Sequence, residues 1–161
     1  MYWLTGRTPT TKPVQSPAKA GAAAMLAILL GRSTAAFAQE KPPTFDEVFK
    51  KIVGDKKPEE GKVSIELPEI AENGNTVPYT VSVDSPMSDA DYVKAIHVLA
   101  PGNPGPTIAS FHFSPMSGEA KVSSRMRLAK TQDIVAVAEL SNGSMLAGKR
   151  TVKVTIGGCG G

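Results

Sequence analysis

Cysteine is almost absent from this chain: Cys159, the third residue from the end, is the only one. A fold with one cysteine has no internal disulfide to staple it, so the thiol serves something outside the chain or nothing at all. Aromatic residues are few, 6% of 161 residues, and there are two histidines, His97 and His112. No basic stripe interleaved with aromatics occurs, which removes the usual footprint of nucleic-acid binding. No internal repeat is present. Long apolar runs are also missing. The longest, Ala20 to Leu30, has eleven residues, whereas crossing a ~30 Å hydrocarbon core takes about 20 helical residues.

That short run has a different meaning. It follows a basic leader containing Arg7, Lys12 and Lys19 and precedes Ala36-Phe37-Ala38, a small-x-small pattern suited to signal peptidase. Residues 1–38 are therefore expected to be a cleaved secretory signal, with the mature chain starting at Gln39. No twin-arginine pair is present, which favours general secretion. The leader takes Arg7, Lys12, Lys19 and Arg32 with it. The formal charge of +3, from 18 basic and 15 acidic residues, then becomes −1, since every acidic residue lies beyond the leader. The apparent basicity is a targeting feature. In an exporting context the lone cysteine points to an intermolecular bond or a free reactive thiol.

The mature chain reads as a helix followed by strands. Thr44-Phe45-Asp46-Glu47 has capping-box form, and Phe45, Val48, Phe49 and Ile52 recur at helical spacing before Gly54. So short a helix is marginal alone in water, and its apolar stripe has to dock on the domain or on a partner. Asp55 to Glu60 reads as a charged linker, so that residues 39–60 form a helix-and-linker segment. From Lys62 the period switches to two. Strands are expected at about Lys62–Leu67, Thr76–Asp84, Tyr92–Ala100, Thr107–Phe113, Ala120–Ala129, Ile134–Leu140 and Lys149–Ile156. Turn signals separate them: Asn73-Gly74, Asn103-Pro104-Gly105-Pro106, Ser117-Gly118 and Asn142-Gly143, the Asn-Gly pairs being hairpin signals because both residues tolerate the positive φ of a type I′ turn. About seven short strands without intervening helices predict an all-β, immunoglobulin-like antiparallel sandwich over residues 61–156, with a small barrel as the alternative.

The chain ends Gly157-Gly158-Cys159-Gly160-Gly161. Glycine explores φ/ψ space widely, so residues 157–161 read as a flexible arm. Three extended residues beyond Ile156 would carry Cys159 roughly 10 Å from the sandwich. Minimal bulk beside the thiol suits insertion into a narrow pocket of another protein. Activated thiolates need a fixed positive group, helix N-terminus or base, and a glycine tail supplies none. Cys159 is thus expected to titrate near the ordinary thiol value of about 8.5 and to be acted on by partners.

Other residues admit plainer readings. His97 and His112 have no carboxylate or cysteine at a metal-ligand spacing and read as surface or satisfied histidines. Arg125 and Arg127 share a strand face that could attract an anion, although a solvated face explains them as well. Tyr79, Tyr92, Phe111 and Phe113 would be the binding face of an interaction module, if exposed. A terminal Gly160-Gly161 is also shared with ubiquitin-like carriers that form a thiocarboxylate. That activation needs ATP, which an exported protein does not meet, and a helix across the middle of a sheet.

Several segments together carry a resemblance: Phe45–Ile52, Asn103-Pro104-Gly105-Pro106, Ser124-Arg125-Met126-Arg127-Leu128-Ala129, Asn142-Gly143-Ser144 and Thr155-Ile156-Gly157-Gly158-Cys159. In these the chain resembles the SoxY family, carrier subunits of bacterial sulfur oxidation. The resemblance implies a periplasmic immunoglobulin-like sandwich that pairs with a SoxZ subunit and is a covalent carrier rather than an enzyme, with no cofactor of its own. It implies that Cys159 is the covalent sulfur attachment site and Gly157, Gly158, Gly160 and Gly161 the carrier arm. In the family, a c-type haem enzyme, SoxAX, conjugates thiosulfate to that cysteine oxidatively. The dimanganese hydrolase SoxB releases sulfate, and a sulfane dehydrogenase acts on the sulfur that remains. Members commonly have twin-arginine signals, from which this chain departs.

Overall fold

In the computed structural model, residues 41–158 are described; the expected leader and residues 159–161 lie outside them. In chain order the elements are α1 (Phe45–Val53), β1 (Glu59–Glu60), β2 (Val63–Glu66), β3 (Ile70–Asn73), β4 (Val77–Val83), β5 (Val93–Leu99), β6 (Thr107–His112), a 3-10 turn at Pro115–Ser117, β7 (Ala120–Met126), β8 (Gln132–Leu140) and β9 (Met145–Ile156).

The helix forms where its caps demand it. The Thr44 hydroxyl accepts from the Glu47 amide, and the Glu47 carboxylate accepts from the Thr44 amide at 2.7 Å. The Thr44 amide first, and its hydroxyl second, favour the charged carboxylate of Glu47 and hold its pKa below the usual value. Asp46 and Glu47 in the first turn and Lys50 and Lys51 in the last complement the helix dipole. Gly54 then stops the helix with φ +62°, its amide bonded to the Lys50 carbonyl.

Two sheets face each other. β2, β4 and β7 form a three-stranded antiparallel sheet. The larger sheet runs β1-β9-β8-β5-β6, with β3 also paired to β9. Alternation puts Val63 and Ile65 of β2 and Val77, Tyr79, Val81 and Val83 of β4 against Ile96, Val98, Ile134, Ala136, Ala138, Leu146 and Val152 of the larger sheet. This is the all-β sandwich that the period-two pattern predicts.

The pairing of the first strands differs from expectation. Asn73-Gly74 does not close a hairpin. Between β2 and β4 the chain crosses to the larger sheet, where β3 runs parallel to the end of β9, Ile70 opposite Lys153 and Asn73 opposite Ile156. Gly74 is where it crosses back, at a φ that is not positive. The charged linker is also tied down: β1 lies parallel to the start of β9, and Lys56 Nζ donates to the Gly143 carbonyl at 2.7 Å. At Asn142-Gly143 the chain does turn from β8 into β9, with only Gly143 at positive φ, +83°. A type I′ turn needs positive φ at both central residues, so this tip is of another kind.

α1 docks on its own domain. Phe49, Ile52 and Val53 pack on Val135, Val137 and Met145, on the face of the larger sheet opposite the core. β8 is consequently buried on both sides over its middle. Thr44→Ala should cost about 1 kcal/mol through loss of the cap. A urea titration would show it, with amide protection falling in α1 and holding in β4 and β7.

Candidate functional site

The end of β9 delivers the chain into a narrow slot. Three backbone hydrogen bonds link three segments there: Gly158 N–H donates to the Leu128 carbonyl at 2.8 Å, Leu128 N–H to the Gly74 carbonyl at 2.8 Å, and Gly74 N–H to the Ile156 carbonyl at 2.7 Å. The turn after β3 and the strap after β7 thus grip the tail from two sides. There is no space for side chains. A Cβ on Gly157 would strike the Ala129 carbonyl, one on Gly158 the Asn75 amide and the Gly74 carbonyl carbon, and one on Gly74 the Leu128 carbonyl, each well inside the 3.0 Å that real Cβ atoms respect.

At Gly157 and Gly158 only a hydrogen atom stands where a side chain would be, and three segments approach closely. Cys159, Gly160 and Gly161 themselves lie outside the described residues.

Behind the slot is a polar clamp that the sequence reading missed. Gln132 is the one buried polar residue among those described, 9% exposed. Its Oε1 accepts from the Gly102 amide at 2.7 Å, and its Nε2 donates to Asn103 Oδ1 at 3.0 Å and to the Lys130 carbonyl at 3.2 Å. The same Asn103 Oδ1 accepts from the Ala129 amide, while Asn103 Nδ2 donates to the Arg127 carbonyl at 2.8 Å. Thr131 fastens the far end of the strap, accepting from the Val154 amide at 2.9 Å. These bonds draw residues 127–129 out of β7, which ends at Met126 rather than at Ala129. The available signal was phase: Gln132 falls on the inward positions of Ile134, Ala136 and Ala138, where a polar side chain needs partners.

Other candidates lie elsewhere. His97 of β5 and His112 of β6 are diagonal neighbours with ring centroids 6.4 Å apart. His97 Nδ1 pairs with Ser110 Oγ at 2.8 Å. Burial pushes the His97 pKa down, His112 adds to that, and Glu139 opposes it. Among the described residues no group of three metal-ligating side chains occurs. Arg125 and Arg127 are exposed. Tyr79 is buried, and Tyr92, Phe111 and Phe113 pack partly buried against the core. They do not form the exposed aromatic face that an interaction module would present.

The two facing sheets put the protein in the class of all-β sandwich proteins, with its sole cysteine one position beyond the glycine slot. The family model "Sulfur oxidation protein SoxY" matches residues 49–159, and the chain belongs to the SoxY family of sulfur-oxidation carrier proteins. Among solved structures, it is similar to the sulfur carrier protein SoxY from Chlorobium limicola f thiosulfatophilum, with 37% identity over 69% of this chain and 96% of that one, at a TM-score of 0.58. A superoxide reductase (neelaredoxin) from Ignicoccus hospitalis aligns at 21% identity over 58% of this chain and 80% of its own, with a TM-score of 0.53. That likeness is one of fold alone. No curated protein matches the chain. The family implies partners from the Sox system such as SoxZ.

The His97 environment has a consequence for stability. A histidine whose folded pKa lies below its unfolded value of 6.5 binds its proton more readily when unfolded. Stability is then full above pH 6.5 and declines as pH falls through the unfolded value toward the lowered folded one. Glu47 and Glu139, both lowered, act in a separate window below about 4.5. Denaturant midpoints measured from pH 7.5 to 5 should fall in the native protein and flatten in His97→Gln.

Proposed function

We propose that the protein carries sulfur intermediates of thiosulfate oxidation covalently on the Cys159 thiol, in the periplasm, and presents them to partner enzymes. The observation that carries this reading is the family match, which runs through the sole cysteine of the chain. The hydrogen-bonded backbone up to Gly158 is compatible with it, since the cysteine is the next residue in the sequence. The protein supplies an attachment point and leaves catalysis to others: the tail has no neighbouring base or helix N-terminus in its sequence to activate the thiol.

The loading step forms a sulfur–sulfur bond. The Cys159 thiolate and the terminal sulfur of thiosulfate each lose one electron, giving Sγ–S–SO3⁻, and two electrons pass to a c-type haem partner of SoxAX type. Hydrolysis by a SoxB-type dimanganese enzyme then cleaves the S–SO3 bond. Water supplies the fourth oxygen of sulfate, two protons are released, and a persulfide remains on Cys159 as substrate for a sulfane dehydrogenase. A SoxZ-like subunit completes the carrier as a heterodimer. Holding the intermediate by a covalent bond keeps it from diffusing away between active sites and raises its effective concentration at each one.

Cys159→Ser should abolish thiosulfate-dependent electron transfer in a system reconstituted with these partners, while circular dichroism and the thermal midpoint stay at native values. Intact-mass spectra of the native protein after exposure to thiosulfate and the haem partner should show a reductant-labile adduct on the terminal peptide. Undiminished turnover in Cys159→Ser would overturn the carrier reading.

A further inference from the structure

We propose that His97 and His112 form a two-histidine site for a divalent transition-metal ion of the zinc or copper class, with Ser110 as the positioning residue that readies His97. The site lies on the outer face of the larger sheet and does not depend on the carrier reading.

Along the chain nothing pairs the two histidines; the sheet does. His97 of β5 lies opposite Ser110 of β6, and His112 lies opposite Ala95, so the histidines are diagonal neighbours on one face. Diagonal pairs on an antiparallel face are within reach of long and aromatic side chains. Here the ring centroids are 6.4 Å apart and the planes nearly perpendicular, at 87°. Two imidazoles on one tetrahedral ion, with metal–nitrogen bonds of about 2.0–2.1 Å, hold their ring centres roughly 5 Å apart. The difference is small, and the exposed His112 side chain can swing to close it.

The chemistry of His97 is set by its neighbour. Its Nδ1 pairs with the Ser110 hydroxyl at 2.8 Å. In the tautomer where Nδ1–H donates to that oxygen, the lone pair stands on Nε2, which is the form a metal needs. Ligating histidines are held in this way, with one nitrogen on the ion and the other on a hydrogen-bond acceptor.

The surroundings leave room for water to complete the coordination. Ala95 stands between His112 on β6 and Glu139 on β8, and its side chain is a single methyl group. His97 opens onto a recess of about 620 Å3 beside α1, lined also by Glu47, Lys51, Thr107, Ser110 and Glu139. Glu139 is held by Lys94 at 2.7 Å and is no ligand while that ion pair stands. The site therefore has two protein ligands, in keeping with the lack of any group of three among the described residues. Imidazole donors suit zinc, copper and nickel, whereas calcium and magnesium prefer oxygen. An ion held here ties β6, an end strand of the larger sheet, to β5. Because it binds the folded chain, it raises the thermal midpoint.

Calorimetric titration of the full mature chain with Zn2+, its thiol blocked by iodoacetamide, tests the site. One ion per chain is expected. His97→Gln and His112→Asn should each weaken binding at least about tenfold, and Ser110→Ala about tenfold, the scale of losing a ligating histidine's hydrogen-bond partner. The zinc-free thermal midpoint of each variant reports whether the sheet itself has suffered. Nitrogen-15 NMR of the native protein gives a second reading that needs no variant. Zn2+ should shift His97 Nε2 and one His112 nitrogen, while His97 Nδ1 keeps its proton. Zinc that binds as tightly to the His97→Gln, His112→Asn double variant is an adventitious ion only and would overturn the site. Histidine signals that stay in place at saturating Zn2+ would overturn it as well. Native affinity in Ser110→Ala would remove the positioning role of Ser110.

Discussion

β9 presents two edges of backbone amides and carbonyls over twelve residues, and the rest of the fold is arranged to pair them. A strand left with one open edge would be a template for another chain. β8 covers one edge as an antiparallel partner. The other edge is divided: β1 takes its start and β3 its end, both parallel to it. This division explains the detour of the chain from β2 out to the larger sheet and back to β4. It also fixes where the C-terminus emerges, because the turn that follows β3 is the one that clasps Ile156 and faces Gly158. Pairing the last strand and locating the tail are one structural solution.

The double burial of β8 follows from a second demand. The larger sheet keeps one face on the core shared with β2, β4 and β7, and its other face would expose Val135, Val137 and Met145. α1 covers these with Phe49, Ile52 and Val53. A helix too short to persist alone gains its stability from that contact and from its caps. The surface of the same sheet next to α1 is polar, with Lys94 paired to Glu139 at 2.7 Å and His97 against Ser110. The sheet is closed by apolar packing under the helix and by polar pairs beyond it.

The same sandwich architecture occurs in a protein of another kind, as the superoxide reductase likeness shows. What distinguishes this one is the far end of β9, where a glycine slot and a polar clamp hold the chain up to the residue before the cysteine.

Much of this was legible in the residues. The capping box at Thr44 and Glu47, the stop at Gly54 and the period-two runs of β4 and β9 are local signals, set by hydrogen bonding and sterics within a few residues, and they were read correctly. The resemblance to SoxY likewise rests on short motifs. The misreadings all concern partners distant in sequence. Asn73-Gly74 looks like a hairpin because its local chemistry suits one, yet its glycine answers to Leu128, some fifty positions on. Glu59 and Glu60 look like linker because nothing nearby says that β9 needs an edge partner there. Gln132 looks like the polar margin of a strand until Gly102, Asn103 and Lys130 surround it. By itself, the sequence determined the class of fold and the helix with its ends, since propensity, periodicity and caps act locally. Only the tertiary structure decided which edges pair and which segments meet at Gly74, Gly157 and Gly158, because close approach between segments is a property of where the chain returns.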